Sequence, residues 1–444
     1  MYGRKTTKLL NMVRRFLGKE PRPASAPTGP GRGHRAEASK DQDLARKVYT
    51  PVQQAKRIDQ GVAGQAGYAY DAGRRLHRED RFKEAFDAFK ESLELFRQVE
   101  GSEKDQGDCL HGIGAVRGDL GDYEEALAAG DEALELFGQV EECQEDQAGC
   151  LFRAGFLEDS YEDSLAAYRQ ALDLYRQVEE CEEDQADCLY NAATSLKELG
   201  RDLEVLDAYE EAVSLYRQVE GSQGDQADCL YNAATVLVGG ERYEEALSLY
   251  REALASYRQV DGSGARQATC LNNSGVVLET LGRLEEALED GCQAARLYRQ
   301  AGDTGEDYAD CLYNIGNVVL RTERYEEALG RYDEALTVYG QIEGVQYGQI
   351  VSLENSGVAL EELGCYEEAL EAHHEALRTC QQAGSLVDYE ADCLYNVANM
   401  LKELGRGDQA LPLFRQALEA YARLEDSEEE QADCLEAIGA IEAG

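Results

Sequence analysis

The sequence predicts an all-α fold in which one pair of helices is repeated along the chain. Two short segments, Asp-Cys-Leu-Tyr-Asn and Tyr-Glu-Glu-Ala-Leu, return in register with a period of 41 residues. Around them, apolar residues follow the spacing of a helix. The hydrophobic fraction of 43% is enough for a packed core despite a formal net charge of −44. One pair cannot bury its apolar stripe alone, so the copies are expected to stack as a solenoid.

The copy that begins at Asp310 shows how the sequence encodes its two helices. The first helix carries Leu312 and Ile315 at helical spacing, and a second helix is expected from Tyr325 to about Ile342. The apolar stripe of that second helix consists of Ala328, Leu329, Tyr332, Ala335, Leu336 and Tyr339. Small residues are expected where the helices approach closely, since bulky side chains would push them apart. These small residues are Gly316, Ala328 and Ala335.

One position on the first helix, most often a cysteine, identifies each copy. It is occupied by Tyr68, Cys109, Cys150, Cys188, Cys229, Cys270, Cys311, Ser352, Cys393 and Cys434. The copies predict nine helix pairs in residues 59–444 and a last lone helix from about Glu428, which is either a cap or the edge of a truncated chain. The spacing from Cys150 to Cys188 is 38 residues. Three missing residues are nearly one helical turn, so this copy should have a shorter first helix or a tighter turn.

This pattern resembles the tetratricopeptide repeat. Leu312, Ile315, Gly316, Val319, Ala328, Tyr332 and Ala335 take the places of that family's large and small apolar residues. The family's Trp is replaced by Leu in most copies, its final Pro is absent, and 41 residues exceed its usual ~34. Long units of this kind resemble those of kinesin light chains and Pins/LGN-type adaptors. The resemblance implies a right-handed superhelical solenoid of about nine helix-turn-helix units plus a C-terminal cap helix, with first helices on the concave side.

Catalytic chemistry is not expected from the sequence, and neither is a cofactor or a metal. Eight cysteines share one position on successive first helices, beyond disulfide reach, and should be small buried hydrophobes. Cys143 and Cys181 lie in equivalent loops, and for these two a redox role is the alternative to a purely structural one. His373 and His374 are expected at an exposed or half-buried surface. The Glu-Glu pairs fall in the first turn of second helices, where the helix dipole favours negative charge.

Six consecutive copies carry an asparagine three residues after the cysteine position. They are Asn191, Asn232, Asn273, Asn314, Asn355 and Asn396. Asparagine is a mediocre helix former, so packing alone does not explain its recurrence. A carboxamide both donates and accepts, and could hold the main chain of an extended peptide, as similarly placed asparagines do in kinesin light chains and O-GlcNAc transferase. The alternative is an inter-repeat hydrogen bond that stabilises stacking.

Tyrosines and aspartates accompany these asparagines and complete the predicted peptide site, placed within residues 180–420. Four tyrosines precede an asparagine and offer flat contact surface: Tyr190, Tyr231, Tyr313 and Tyr395. Four aspartates lie one helical turn earlier on the same face: Asp187, Asp228, Asp310 and Asp392. The carboxylates favour basic or neutral partners and disfavour a terminal carboxylate.

The N-terminal residues differ in composition from the rest. Residues 1–58 hold 14 Lys/Arg and 4 Asp/Glu, whereas the other residues hold 30 and 84. Residues 5–19 read as a basic amphipathic helix that could contact an anionic membrane, or dock weakly on the acidic solenoid and compete with basic ligands. The following Pro/Gly-rich stretch is predicted to be disordered. Cytoplasmic localisation is expected, with a mitochondrial address as the alternative.

The predicted function is that of a non-catalytic adaptor that binds protein or peptide segments in the concave groove. The acid excess argues against nucleic acid, whose phosphates it would repel. The alternative from another class is the regulatory or substrate-docking part of an enzyme whose catalytic domain is absent from this chain. A third interpretation is self-assembly through the open ends of the solenoid.

Overall fold

The computed structural model describes residues 61–384, 387–424 and 427–443. These ranges contain nineteen helices and no strand, which confirms the predicted all-α fold. The described part of the chain divides into two compact units, the first ending at residue 240 and the second beginning at residue 241. The N-terminal arm, with its expected helix at residues 5–19, lies outside the described residues. No helix of the described part is both long and apolar enough to cross a membrane.

In the first unit, four helix pairs are followed by a ninth helix. The helices are α1 Val62–Arg78, α2 Phe82–Phe96, α3 Glu103–Leu120, α4 Tyr123–Phe137, α5 Gln144–Leu157, α6 Tyr161–Tyr175, α7 Glu182–Glu198, α8 Asp202–Tyr216 and α9 Gln223–Gly239. Each helix packs against the next along the chain. Odd-numbered helices carry the cysteine position and are called first helices below. Each even-numbered helix is the second helix of its repeat.

The second unit begins with a second helix, continues with four pairs and ends with a lone first helix. The helices are α10 Tyr243–Tyr257, α11 Gly264–Thr280, α12 Leu284–Ala301, α13 Glu306–Arg321, α14 Tyr325–Tyr339, α15 Gln346–Glu362, α16 Tyr366–Ala383, α17 Val387–Glu403, α18 Gly407–Tyr421 and α19 Glu428–Ala443. The last helix begins where the sequence predicts it. Within this unit, too, neighbouring helices along the chain pack together.

Close approach between the helices of a pair depends on small residues facing aromatic rings. A Cβ atom at Gly316 of α13 would lie 2.5 Å from the Tyr332 ring of α14, and one at Gly155 would lie 2.6 Å from the ring of Tyr168. Ala328 and Ala335 are fully buried. The predicted role of small residues is therefore confirmed.

Turns between second and first helices are closed by a side chain that points inward. Ser263 donates to the carbonyls of Tyr257 and Val260 at 2.6 and 2.7 Å, which satisfies the last carbonyl of α10 and one in the turn that follows it. Cys143 and Cys181 occupy the same place in other turns and are buried. Burial raises the pKa of both thiols, which makes them weak nucleophiles and weighs against a redox role.

The eight cysteines of the repeat position are buried free thiols, as predicted. Burial raises the pKa of Cys109 to about 11 and that of Cys311 to about 12. The first helix of the 38-residue copy is shorter than its counterpart in the next repeat, as predicted. Helix α5 has 14 residues, whereas the equivalent α7 has 17.

The expectation for His373 is wrong. Its side chain is fully buried on α16, and a Cβ at Gly357 would lie 2.4 Å from its ring. The reason is position, since His373 stands 41 residues after Tyr332 in the aromatic stripe of the second helix. Its neighbour His374 is half-buried, as expected.

Candidate functional site

The candidate site is the surface of the first helices that carry the recurring asparagines. These side chains lie on α7, α9, α11, α13, α15 and α17, one on each helix. Within each unit, an asparagine contacts a side chain of the preceding repeat. That side chain stands 42 residues earlier, immediately before the asparagine of its own repeat. The contacts are therefore described one unit at a time.

In the first unit, Asn191 and Asn232 are half-buried. The Nδ2 of Asn191 donates to the carbonyl of Asp187 in its own helix at 2.8 Å. The Nδ2 of Asn232 donates to the hydroxyl of Tyr190 in the preceding repeat at 3.1 Å. Asn232 also lies beside the buried Tyr209, whose ring is 5.8 Å from that of Tyr190. Together these contacts fix the orientation of the Asn232 amide.

In the second unit, three asparagines follow the same geometry. The Nδ2 of Asn314 donates to Oδ1 of Asn272 at 3.1 Å, and the Nδ2 of Asn355 donates to the Tyr313 hydroxyl at 3.2 Å. The Nδ2 of Asn396 donates to the carboxylate of Glu354. Asn232, Asn314, Asn355 and Asn396 thus make the inter-repeat hydrogen bond that the sequence left as the alternative to peptide binding.

Exposure separates the predicted contacts into two groups. Tyr313, Asn314 and Asn355 are buried, with exposed fractions of 4%, 8% and 2%. The other members of the predicted set are half-buried: Asn191, Asn232, Asn273, Asn396, Tyr190, Tyr231, Tyr395, Asp187, Asp228, Asp310 and Asp392. The buried three lie in the interface between repeats, and only the half-buried group is open to a partner.

Three of the four aspartates accept a hydrogen bond from a tyrosine on the second helix of their own repeat. Asp187 accepts a hydrogen bond from the Tyr216 hydroxyl, and Asp392 accepts one from Tyr421 at 2.6 Å. Asp310 accepts one from Tyr339. Burial raises the pKa of Asp187 to about 6, although the Tyr216 hydrogen bond opposes the rise.

A buried charged cluster lies beside Asn355 and Asn396. His373 Nδ1 lies 3.2 Å from Glu354, and its Nε2 lies 3.1 Å from Glu361. Burial would lower the pKa of His373, but the two carboxylates prevail and raise it to about 10. His373 is therefore an imidazolium at neutral pH, and it neutralises the buried Glu354 carboxylate.

Sequence reasoning missed Glu354 and His373 because it looked for what recurs. Glu354 takes the place that Tyr313 holds one repeat earlier, and His373 takes the place of Tyr332. Both substitutions fall in the same helix pair, where they face each other. An alignment of the copies at 41 residues shows the two exceptions together and could have identified them as a charged pair.

The sequence profile of the tetratricopeptide repeat matches residues 69–139, 185–259, 225–300, 266–341 and 348–423. These matches span more than half of the chain, and with the repeated helix pairs they show that the chain belongs to the tetratricopeptide repeat family. The matches leave out residues 140–184, which include the short helix α5. No curated protein sequence matches the chain.

Solved structures with a similar fold include the apo form of RapI. It has 14% sequence identity and a TM-score of 0.59, over 81% of this chain and 98% of that chain. Aspartyl phosphate phosphatase F from Bacillus subtilis has 14% identity and a TM-score of 0.47, over 83% and 96%. BtubC from P. vanneervenii has 15% identity and a TM-score of 0.45, over 51% and 94%. At this identity, the likeness to RapI shows a shared fold alone.

Proposed function

We propose that the protein is a non-catalytic interaction scaffold that binds extended peptide segments of partner proteins along its first helices. Membership of the tetratricopeptide repeat family supports the scaffold role. The observation that carries peptide binding is the half-buried asparagine with a fixed amide. The hydrogen bond from Asn232 to the Tyr190 hydroxyl engages the amide nitrogen and orients the amide oxygen, which can then accept from a main-chain N–H.

The half-buried tyrosines and aspartates complete this surface. Tyr190 and Tyr395 pack on aromatic rings of the second helices, with centroids 5.8 and 5.6 Å apart, so their rings are held in place before a ligand arrives. Asp187 and Asp392 add negative charge beside the amides, which favours neutral or basic segments. The buried Tyr313, Asn314 and Asn355 contribute by fixing the spacing between repeats.

Peptide selection on the full chain tests this proposal. Random ten-residue peptides displayed on phage are selected, and the affinity of each selected peptide is measured by fluorescence anisotropy. Substituting Asn232→Ala together with Asn396→Ala should weaken binding about tenfold, the loss expected for one or two hydrogen bonds. The matched control is Gln218→Ala, which removes an exposed carboxamide from a position outside the first helices.

Two results would contradict peptide binding on this surface. One is a selection that enriches no peptide. The other is a set of peptides whose affinity is the same for the doubly substituted chain as for the natural chain. Melting temperatures of all variants identify any loss that arises from unfolding.

A further inference from the structure

The aromatic stripe of the second helices is interrupted twice, at Gly130 of α4 and at Gly291 of α12. The other second helices carry a ring at this position: Phe89, Tyr168, Tyr209, Tyr250, Tyr332, His373 and Phe414. Such a ring also packs on the first helix of the next repeat, since a Cβ atom at Gly112 of α3 would lie 2.8 Å from the ring of Phe89. The two glycines therefore each leave a gap in front of the next first helix.

One of the two gaps is filled and the other is open. Ile315 of α13, 24 residues after Gly291, lies 2.9 Å from where a Cβ of that glycine would be, and both residues are buried. The same spacing leads from Gly130 to Ala154 of α5, whose side chain is much shorter. No atom of a described neighbouring helix lies within 4 Å of a Cβ position at Gly130, and both residues are half-buried. A small residue thus faces a small residue at Gly130.

The open gap forms an apolar slot between α3, α4 and α5, called the Gly130 slot below. Its volume of about 20 Å³ exceeds the roughly 10–15 Å³ that admits a water molecule. Its wall includes Leu134 of α4 and Leu151, Ala154 and Leu157 of α5. These three residues of α5 are half-buried. Their equivalents in the repeat of α13 are buried: Leu312, Ile315 and Val318. The slot therefore leaves apolar surface exposed that the later repeat covers.

The Gly130 slot is continuous with the candidate surface. Its wall also includes His111 and Arg153, which stand at the tyrosine position and the asparagine position of their repeats. Burial lowers the pKa of His111 to about 4, so this side of the slot is neutral at pH 7. A partner segment on the candidate surface would therefore pass the slot one repeat before it reaches Asn191.

We infer that the Gly130 slot binds one apolar side chain of the partner segment, of the size of leucine, isoleucine or methionine. The size follows from Ile315, which fills the corresponding gap in the second unit. Burial of such a side chain is favourable because it removes apolar surface of both partners from water. The inference rests on the proposed function. It adds a side-chain preference to the main-chain contacts of the asparagines, which recognise no particular sequence.

A cycle of substitutions in the peptide and in the full chain tests the inference. In the phage-selected peptides, each apolar residue is replaced in turn by serine, and affinities are measured by fluorescence anisotropy. One such replacement should weaken binding to the natural chain about tenfold. The variant Ala154→Ile fills the slot as Ile315 fills its counterpart, and it should raise the melting temperature. It should bind the parent peptide about tenfold more weakly than the natural chain does, and no longer distinguish it from the serine peptide.

The matched control is Ala154→Ser, which leaves the slot open and places there the residue found in two other repeats, at Ser274 and Ser356. It should keep the preference for the apolar peptide. Ala154→Val is a smaller filling variant for use if isoleucine lowers the melting temperature.

Two results would overturn the inference. One is a set of selected peptides that share no apolar residue. The other is a full set of serine replacements that weaken binding to the filled variant as much as to the natural chain. If the same peptides still lose affinity with Asn232→Ala, peptide binding stands and only the slot is wrong. Peptides that respond to neither substitution would contradict the proposed function as well.

Discussion

At the scale of single residues, the positions that depart from the repeat pattern include a buried pair of opposite charges. His373 replaces an aromatic residue of the core with a cation, and Glu354 replaces a tyrosine with the anion that meets it. Either charge alone would be costly to bury, whereas the pair is tolerated because each neutralises the other. The two substitutions are therefore expected to be interdependent.

Replacing His373 with glutamine should destabilise the protein in a pH-dependent way. The folded pKa of about 10 lies above the ordinary value of 6.5. The stabilisation is therefore complete below pH 6.5 and is lost as the pH rises through 10. His373→Gln should lower the melting temperature at pH 7, with a cost on the order of 3 kcal/mol. The difference in melting temperature between the variant and the natural chain should be smaller at pH 10 than at pH 7.

His374→Gln is the control for this experiment, because His374 is the half-buried neighbour on the same helix. It should change the melting temperature little at either pH. A His373→Gln variant whose deficit stays constant from pH 7 to pH 10 would show that the imidazolium is not the stabilising form.

At the scale of helices, glycines that face aromatic rings set the distance between the two helices of a repeat. Gly316→Ala would place a methyl group 2.5 Å from the Tyr332 ring. Overpacking should cost about 1–3 kcal/mol and lower the melting temperature. Gly330→Ala on the partner helix α14 is the matched control, since nothing lies within 4 Å of its Cβ position. That change should stabilise the helix by up to about 1 kcal/mol. Equal effects of the two substitutions would refute this account.

Helix boundaries and packing were predictable from the sequence because the repeat supplies many independent copies of one pattern. The start of α19 and the shortened α5 both follow from counting residues between cysteines. The asparagine contacts were not predictable in the same way. A carboxamide at a recurring position can hydrogen-bond either a ligand or the neighbouring repeat. Which of the two it does depends on the distance between residues 42 apart in sequence, on successive first helices.

At the scale of the whole molecule, the 88 acidic side chains outnumber the 44 basic side chains that could pair with them. Exposed pairs such as Arg97–Glu132 and Arg176–Glu211 join second helices of successive repeats at 2.7 and 2.6 Å. Each such pair contributes little in water. The formal net charge of −44 is a much larger repulsive term. Repulsion should therefore dominate the response of stability to salt.

Raising the sodium chloride concentration from about 0.05 to 0.5 M should raise the melting temperature by several degrees, because it shortens the screening length well below ~10 Å. The control variant is Glu132→Gln, which removes the Arg97 ion pair. It should show the same rise, or a slightly larger one. A melting temperature that falls with salt would mean that the ion pairs outweigh the repulsion.

The recurring cysteine gives eight of the ten copies of the repeat an internal chemical probe of local opening. Every thiol at this position is buried in the folded chain. Burial raises the pKa of Cys109, Cys150 and Cys270, which keeps these thiols in the unreactive protonated form. Alkylation can proceed only when the surrounding helices separate, so its rate at each cysteine measures how often that repeat opens. Mass spectrometry of peptides from a timed labelling series would read these rates side by side. The natural sequence thus carries a position-by-position record of local opening without an added probe.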